Sequence, residues 1–127
     1  MSMPTTTTVI NHADAPVKKD MGKAKAQVTK IGAFQAMKIC LEPGLVWADD
    51  IGTKLPGCPK TCPSTHFGYL ESGSMLMKMD DGTEVMVNAG DTYHIPPGHT
   101  PIVQGDVPAV MVEFSQDTAA ILDKMEK

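Results

Sequence analysis

The sequence predicts an all-β sandwich or barrel. Three observations lead there. Eleven Gly and ten Pro in 127 residues punctuate a chain of many short strands better than one of long helices. Short stretches alternate apolar and polar residues with the two-residue period of a half-buried strand. Asp80-Asp81-Gly82 separates two such stretches, and Asp-Gly in that setting is the strongest short-range signal for a hairpin.

Residues 1–28 are polar, first Thr-rich and then Lys-rich (KKDMGKAKAQ), with no clear period. They are expected to form an arm, either flexible or pairing with a neighbouring subunit, and VTKI near its end reads as a strand start. Residues 29–127 form the expected domain. AMKICLE alternates around Met37, Ile39 and Leu41 and meets the turn pair Pro43-Gly44. LVWADDIG reads as a further strand that breaks at Gly52. KLPGCPKTCPST is too rich in Pro for a central strand. HFGYLESG, MLMKM and TEVMV follow as strands. TYHI is a short strand stopped by Pro96-Pro97-Gly98, and HTPIVQG and AVMVEFS complete the set. The tail DTAAILDKMEK opens on an Asp-Thr cap signal and carries helical spacing at Ala120, Ile121 and Met125. The expectation is seven or eight strands and one terminal helix.

With 42% hydrophobic and 20% charged residues, the chain can bury one core of ordinary size. A net charge of -4 supplies no basic footprint, so nucleic acid is not an expected partner. No apolar run approaches the roughly 20 residues of a membrane span, and the N-terminus has neither the basic start nor the apolar centre of a secretory signal. A cytoplasmic protein is expected. The three cysteines, Cys40, Cys58 and Cys62, are an odd number, which does not suggest a disulfide framework. In a reducing compartment a close Cys pair points to metal or redox chemistry. A Cys58–Cys62 disulfide is the alternative, with Pro59 and Pro63 working against its geometry.

The segment GYLESGSMLMKMDDGTEVMVNAGDTYHIPPGH resembles the two linked motifs of small single-domain cupins, and the likeness extends over roughly residues 36–116. Gly73 fits the closing Gly of the first motif, and Gly90, Pro96 and Gly98 fit the second at the family's spacing. The resemblance implies a jelly-roll β-barrel with a small-molecule cavity, and a homodimer. The metal positions depart from the family's three His and one Glu. His66 stands where the Glu is expected, Cys62 and Lys60 where the His-x-His is expected, and Pro101 and Gly105 where the second motif has its His and Asn. His99 lies two residues early. Some small cupins share a histidine before Gly-Tyr-Leu and a PPGH in the second motif; their likeness implies a fold and a cavity without a settled reaction.

Residues two apart on a strand share a face. Positions 58, 62 and 66 therefore point the same way on a regular strand, inward on the cupin alignment, and His99 has the parity to join them. Two thiolates and two imidazoles would make a tetrahedral site suited to Zn²⁺ first, then iron or copper. The expected metal ligands are His66, His99, Cys62 and Cys58. Each has a plainer reading: His66 as a barrel histidine with its hydrogen bonds satisfied, Cys62 as a small hydrophobe, Cys58 carried outside by its Pro-rich loop, and His99 as a turn residue.

His94 can face either side of TYHI, and His12 falls in the arm and is expected in solvent. Met75, Met77 and Met79 share one face, which reads as core or cavity lining before it reads as copper ligands. Lys60 reads as a solvated loop lysine or a counter-charge to an anionic ligand. Tyr69, Tyr93 and Trp47 are cavity candidates. Glu113 lies between Val112 and Phe114, where the outward, polar-face placement is favoured over a buried acid or base. The leading expectation is a small-molecule-binding cupin with a Cys/His metal site, open to catalysis. A metal-free metabolite sensor is the alternative, and a structural module acting through its arm and tail is the third reading.

Overall fold

The computed structural model describes residues 3–125. Nine strands make two sheets. The larger has the order β1 (Val17–Asp20), β2 (Ala24–Ile31), β3 (Phe34–Leu41), β9 (Ala109–Glu113), β4 (His66–Ser72) and β7 (Thr92–Ile95). The smaller has β6 (Glu84–Asn88), β5 (Ser74–Met79) and β8 (His99–Val103). All pairings are antiparallel. One core occupies the space between the sheets, with Met37, Ile39, Leu70 and Met111 from the larger sheet and Met75, Met77 and Val87 from the smaller. This is a jelly-roll arrangement.

The alternation read from the sequence is the alternation of burial. In β4, His66, Gly68 and Leu70 are buried while Phe67, Tyr69 and Glu71 are exposed. In β9, Ala109, Met111 and Glu113 point inward. The Asp-Gly hairpin joins β5 to β6 as expected, with Gly82 in the left-handed region. The tail forms the helix α2 (Gln116–Leu122).

Two expectations change. The division between residues 28 and 29 falls inside β2. Residues 17–20 and 24–31 are strands of this chain's own sheet, and all eight residues of β2 pair with β3. The lysines hid them: Lys18, Lys25 and Lys30 are exposed, while Ala24, Ala26 and Val28 are small inward residues that give a weak hydrophobic signal. The arm thus shortens to the residues before Val17. LVWADDIG is also not a strand. It forms a one-turn helix, α1 (Trp47–Asp50), followed by a 3₁₀ turn at Gly52–Lys54. Asp50 accepts a hydrogen bond from the Val46 amide at 2.8 Å, so a carboxylate closes the turn locally, as short acidic side chains do at helix starts.

Candidate metal centre

Cys62, His66 and His99 are brought together. One ligand atom from each lies within 4.8 Å of the others, and all three residues are buried. Pro63 keeps position 62 out of the regular strand, and β4 begins only at His66. Cys62 instead forms an isolated antiparallel bridge with His99, the first residue of β8. The Cys62 amide donates to the His99 carbonyl at 2.8 Å, and the Gly98 amide donates to the Cys62 carbonyl at 2.8 Å. Facing residues of such a bridge carry their side chains side by side. Gly98 makes the approach possible: its φ is +89°, and a Cβ there would press on the Asp80 carboxylate.

Each imidazole is held through Nδ1 by an oxygen. His66 Nδ1 lies 2.7 Å from Glu113 Oε1 and 3.1 Å from Thr118 Oγ1. His99 Nδ1 lies 2.6 Å from the Pro96 carbonyl. On each ring Nε2 is therefore the nitrogen left for the site, and His66 Nε2 is 3.5 Å from Cys62 Sγ. The two rings meet edge to face with centroids 4.7 Å apart. Tyr93 donates to Glu113 Oε2 at 2.7 Å, so both oxygens of that buried carboxylate are engaged.

The strand order explains this chain of contacts. Glu113 on β9 and Tyr93 on β7 both stand opposite Gly68 on the intervening β4. With no side chain at position 68, nothing on that face separates the phenol from the carboxylate. A Cβ there would also strike the Val112 carbonyl.

These neighbours set the charge state. Burial pushes the Cys62 thiol up, but the hydrogen bond and charge of His66, followed by those of His99, bring it down to about 6. Burial pulls His66 down, yet its contacts with Cys62 and Glu113 raise it to about 9. Each of the two thus favours the charged form of the other. Burial, then the Glu113 charge, raises the Tyr93 phenol far above its ordinary range, so it remains a donor.

Cys62, His66 and His99 border a partly open cavity of about 60 Å³, whose other walls include Trp47, Met77, Met111, Leu122 and Met125. A water needs roughly 10–15 Å³ by the same kind of measure. The space therefore admits an ion and a few light atoms, well short of the roughly 300–1,000 Å³ of a pocket for a drug-sized ligand.

The fourth expected ligand does not join. Cys58 is exposed, sits at φ 45°, and its thiol lies 3.9 Å from the Thr53 carbonyl. Pro56-Gly57 turns the loop outward, which destroys the parity argument that linked position 58 to 62. All three cysteines are free. Glu113 is the second correction: it is buried and inward, because β9 turns Ala109 and Met111 to the core. His94 is exposed, as are Lys60 and Tyr69, whereas Trp47 and Tyr93 are buried. His12 is half-buried, with its Nδ1 enclosed and unpartnered. Sequence reading missed Thr118 and the Pro96 carbonyl. Gly68 carried a signal in advance, since a glycine inside a strand marks a close approach.

No family model matches the chain, and no curated protein matches it in sequence. Solved structures do match. A RmlC-like cupin from Shewanella frigidimarina is 20% identical over 78% of this chain and 82% of its own, with a TM-score of 0.51. KdgF from a Halomonas species is 16% identical over 87% and 92%, with a TM-score of 0.54. The fold is a cupin fold. HppE in its apo form is also similar, at 11% identity and a TM-score of 0.60 over 90% of this chain and 61% of its own; HppE has also been solved with Fe(II). Likeness at these identities establishes architecture. Within that cupin fold, the group that could hold a metal is one cysteine and two histidines.

The residues fit a metal ion. A histidine ligand ordinarily donates its second ring N–H to a carboxylate or carbonyl, which fixes the tautomer and aims the free nitrogen. Both imidazoles do this, and the third donor is a thiol already poised to lose its proton.

Proposed function

We propose that this protein is a metal-binding cupin in which Cys62, His66 and His99 hold one transition-metal ion, leaving a position open toward the cavity. The observation that carries the reading is the pinning of both Nδ1 atoms, by Glu113 and by the Pro96 carbonyl. With both Nδ1 atoms held, each ring turns its Nε2 toward the Cys62 side of the cluster. Zinc, iron and copper all accept imidazole and thiolate donors. With Cys58 outside, the ligand count is three, the number typical of sites that keep a position for water or substrate.

A bound metal would supply Lewis acidity at that open position. The chain's own residues do the rest. Glu113 keeps the His66 ring oriented, Tyr93 fills the second carboxylate oxygen, and thioether and indole groups give the space beside the ligand atoms an apolar wall. The cavity volume limits any ligand at the open position to a few atoms. A small-molecule partner, a homodimer and a cytoplasmic setting belong to the same reading; molar mass in solution tests the dimer.

The deciding experiment is elemental analysis of protein purified without added metal, then of apo protein reloaded with Zn²⁺, Fe²⁺ or Cu⁺. About one equivalent is expected in the native chain, and less than a tenth of that in a Cys62→Ser, His66→Ala double variant. Equal stoichiometry in the two proteins would sink the proposal.

A further inference from the structure

The chain has ten methionines, and five of them, Met21, Met37, Met77, Met111 and Met125, line the same cavity as the three ligand atoms. A methionine in a core usually fills an irregular gap. Here the gap stays open and the thioethers form its wall. Met77 is the best placed of them in the smaller sheet. It stands opposite Pro101, on the same face of β8 as His99, and is buried at 3% exposure. On the other side, Met37 faces Glu113 across the β3–β9 pairing, and Met111 precedes Glu113 by two on the inward face.

Among the described residues, the hard donors at or beside this space are already engaged. The Glu113 carboxylate is taken up by His66 and Tyr93. The Thr118 hydroxyl, which also borders the cavity, is engaged with Ser115, the Thr65 carbonyl and His66. The open position of the site thus looks onto sulfur and hydrocarbon. Non-haem iron favours two His with a carboxylate, whereas one Cys and two His beside a weak thioether is a copper donor set. For equal donors, copper also stands at the top of the divalent affinity order.

We propose that the ion held by Cys62, His66 and His99 is copper, with the Met77 thioether as its weak fourth neighbour. This rests on the metal-binding reading above and narrows it. The thioether lining is what moves the preference from zinc: three ligands alone also suit a zinc site with an open position, but with Cys58 outside, the side of the cluster that faces the cavity is lined by methionine sulfur.

The test uses the full chain in the apo form. Titration with Cu²⁺ should give an intense visible thiolate-to-copper absorption that saturates near one equivalent and is absent in Cys62→Ser. Competition for Cu⁺ against a chromophoric chelator, done anaerobically, gives a second measure if Cu²⁺ oxidises the thiol. Affinity for Cu⁺ should fall at least tenfold in Cys62→Ser. Met77→Leu, which keeps the volume, should leave stoichiometry unchanged but shift the reduction potential of the bound copper. Zinc or iron bound at one equivalent through Cys62, with neither the absorption nor Cys62-dependent Cu⁺ affinity, would overturn the copper assignment and leave the metal site standing. No Cys62-dependent binding of any metal would end both. A Met77→Leu potential equal to that of the native chain would remove Met77 from the site.

Discussion

The loop around Cys58 and the bridge at Cys62 are four residues apart and differ in everything that makes a ligand. Cys58 lies in a turn, exposed, its thiol near a loop carbonyl. Cys62 is buried, tied by two backbone hydrogen bonds to the start of β8, and flanked by two imidazoles. The segment between them, Pro59-Lys60-Thr61, is the transition from loop to sheet. What distinguishes the two thiols is pairing: a residue becomes a donor here when its backbone is fixed to a strand that brings a second donor. Spacing in the chain decides nothing by itself.

That contrast can be broken most severely from the Cys62 side. Glu113→Ala leaves the buried His66 without its carboxylate, and removing one partner of a buried ion pair typically costs about 3–5 kcal/mol. Urea unfolding should show a loss in that range, along with loss of metal. Next in size, Tyr93→Phe leaves one oxygen of Glu113 unsatisfied, at about 1–3 kcal/mol, while metal stoichiometry holds; an unchanged midpoint would show that the phenol is not needed.

The pH dependence sharpens the comparison. Thiolate absorbance in the metal-free Cys40→Ser, Cys58→Ser protein should rise as pH increases through about 6, since the neighbouring imidazoles favour the charged form. In a His66→Gln version the transition should move toward higher pH, because the leading favourable contact is gone. A transition that ignores the His66 change would refute the thiolate–imidazolium pair. Smallest of all is Cys58→Ser. It is exposed and away from the cluster, so stability should change by less than about 0.5 kcal/mol and metal binding not at all. A drop in stoichiometry would return Cys58 to the site.

Much of the architecture was legible because β-strands that are buried on one face write their period into the sequence. The hairpin at Asp81-Gly82, the strands from Phe34 onward and the terminal helix all follow from that rule. The cluster of Cys62, His66 and His99 was legible for a different reason, the fit of His66 and Gly98 to motif spacing. Four things were not legible, the first being the helical turn at Trp47–Asp50, whose apolar start reads as a strand. Strand β2 presents small inward alanines and outward lysines, which read as a solvated arm. Glu113 is flanked by apolar residues on both faces of β9, so alternation could not say which way it points. Cys58 is a possible fourth ligand by parity alone, and parity cannot be counted across Pro59 and a left-handed backbone.

Strand β9 lies between β3 and β4, away from either edge of the larger sheet. The carboxylate that orients His66 is thus anchored in an interior strand, and the carbonyl that orients His99 lies in the turn leading into β8. Both rings have lost their rotational freedom before any ion arrives, and that ordering entropy was spent in folding. Capture of the proposed ion would therefore have little left to organise. Loading should raise the melting temperature by mass action while leaving the circular dichroism of the backbone where it was.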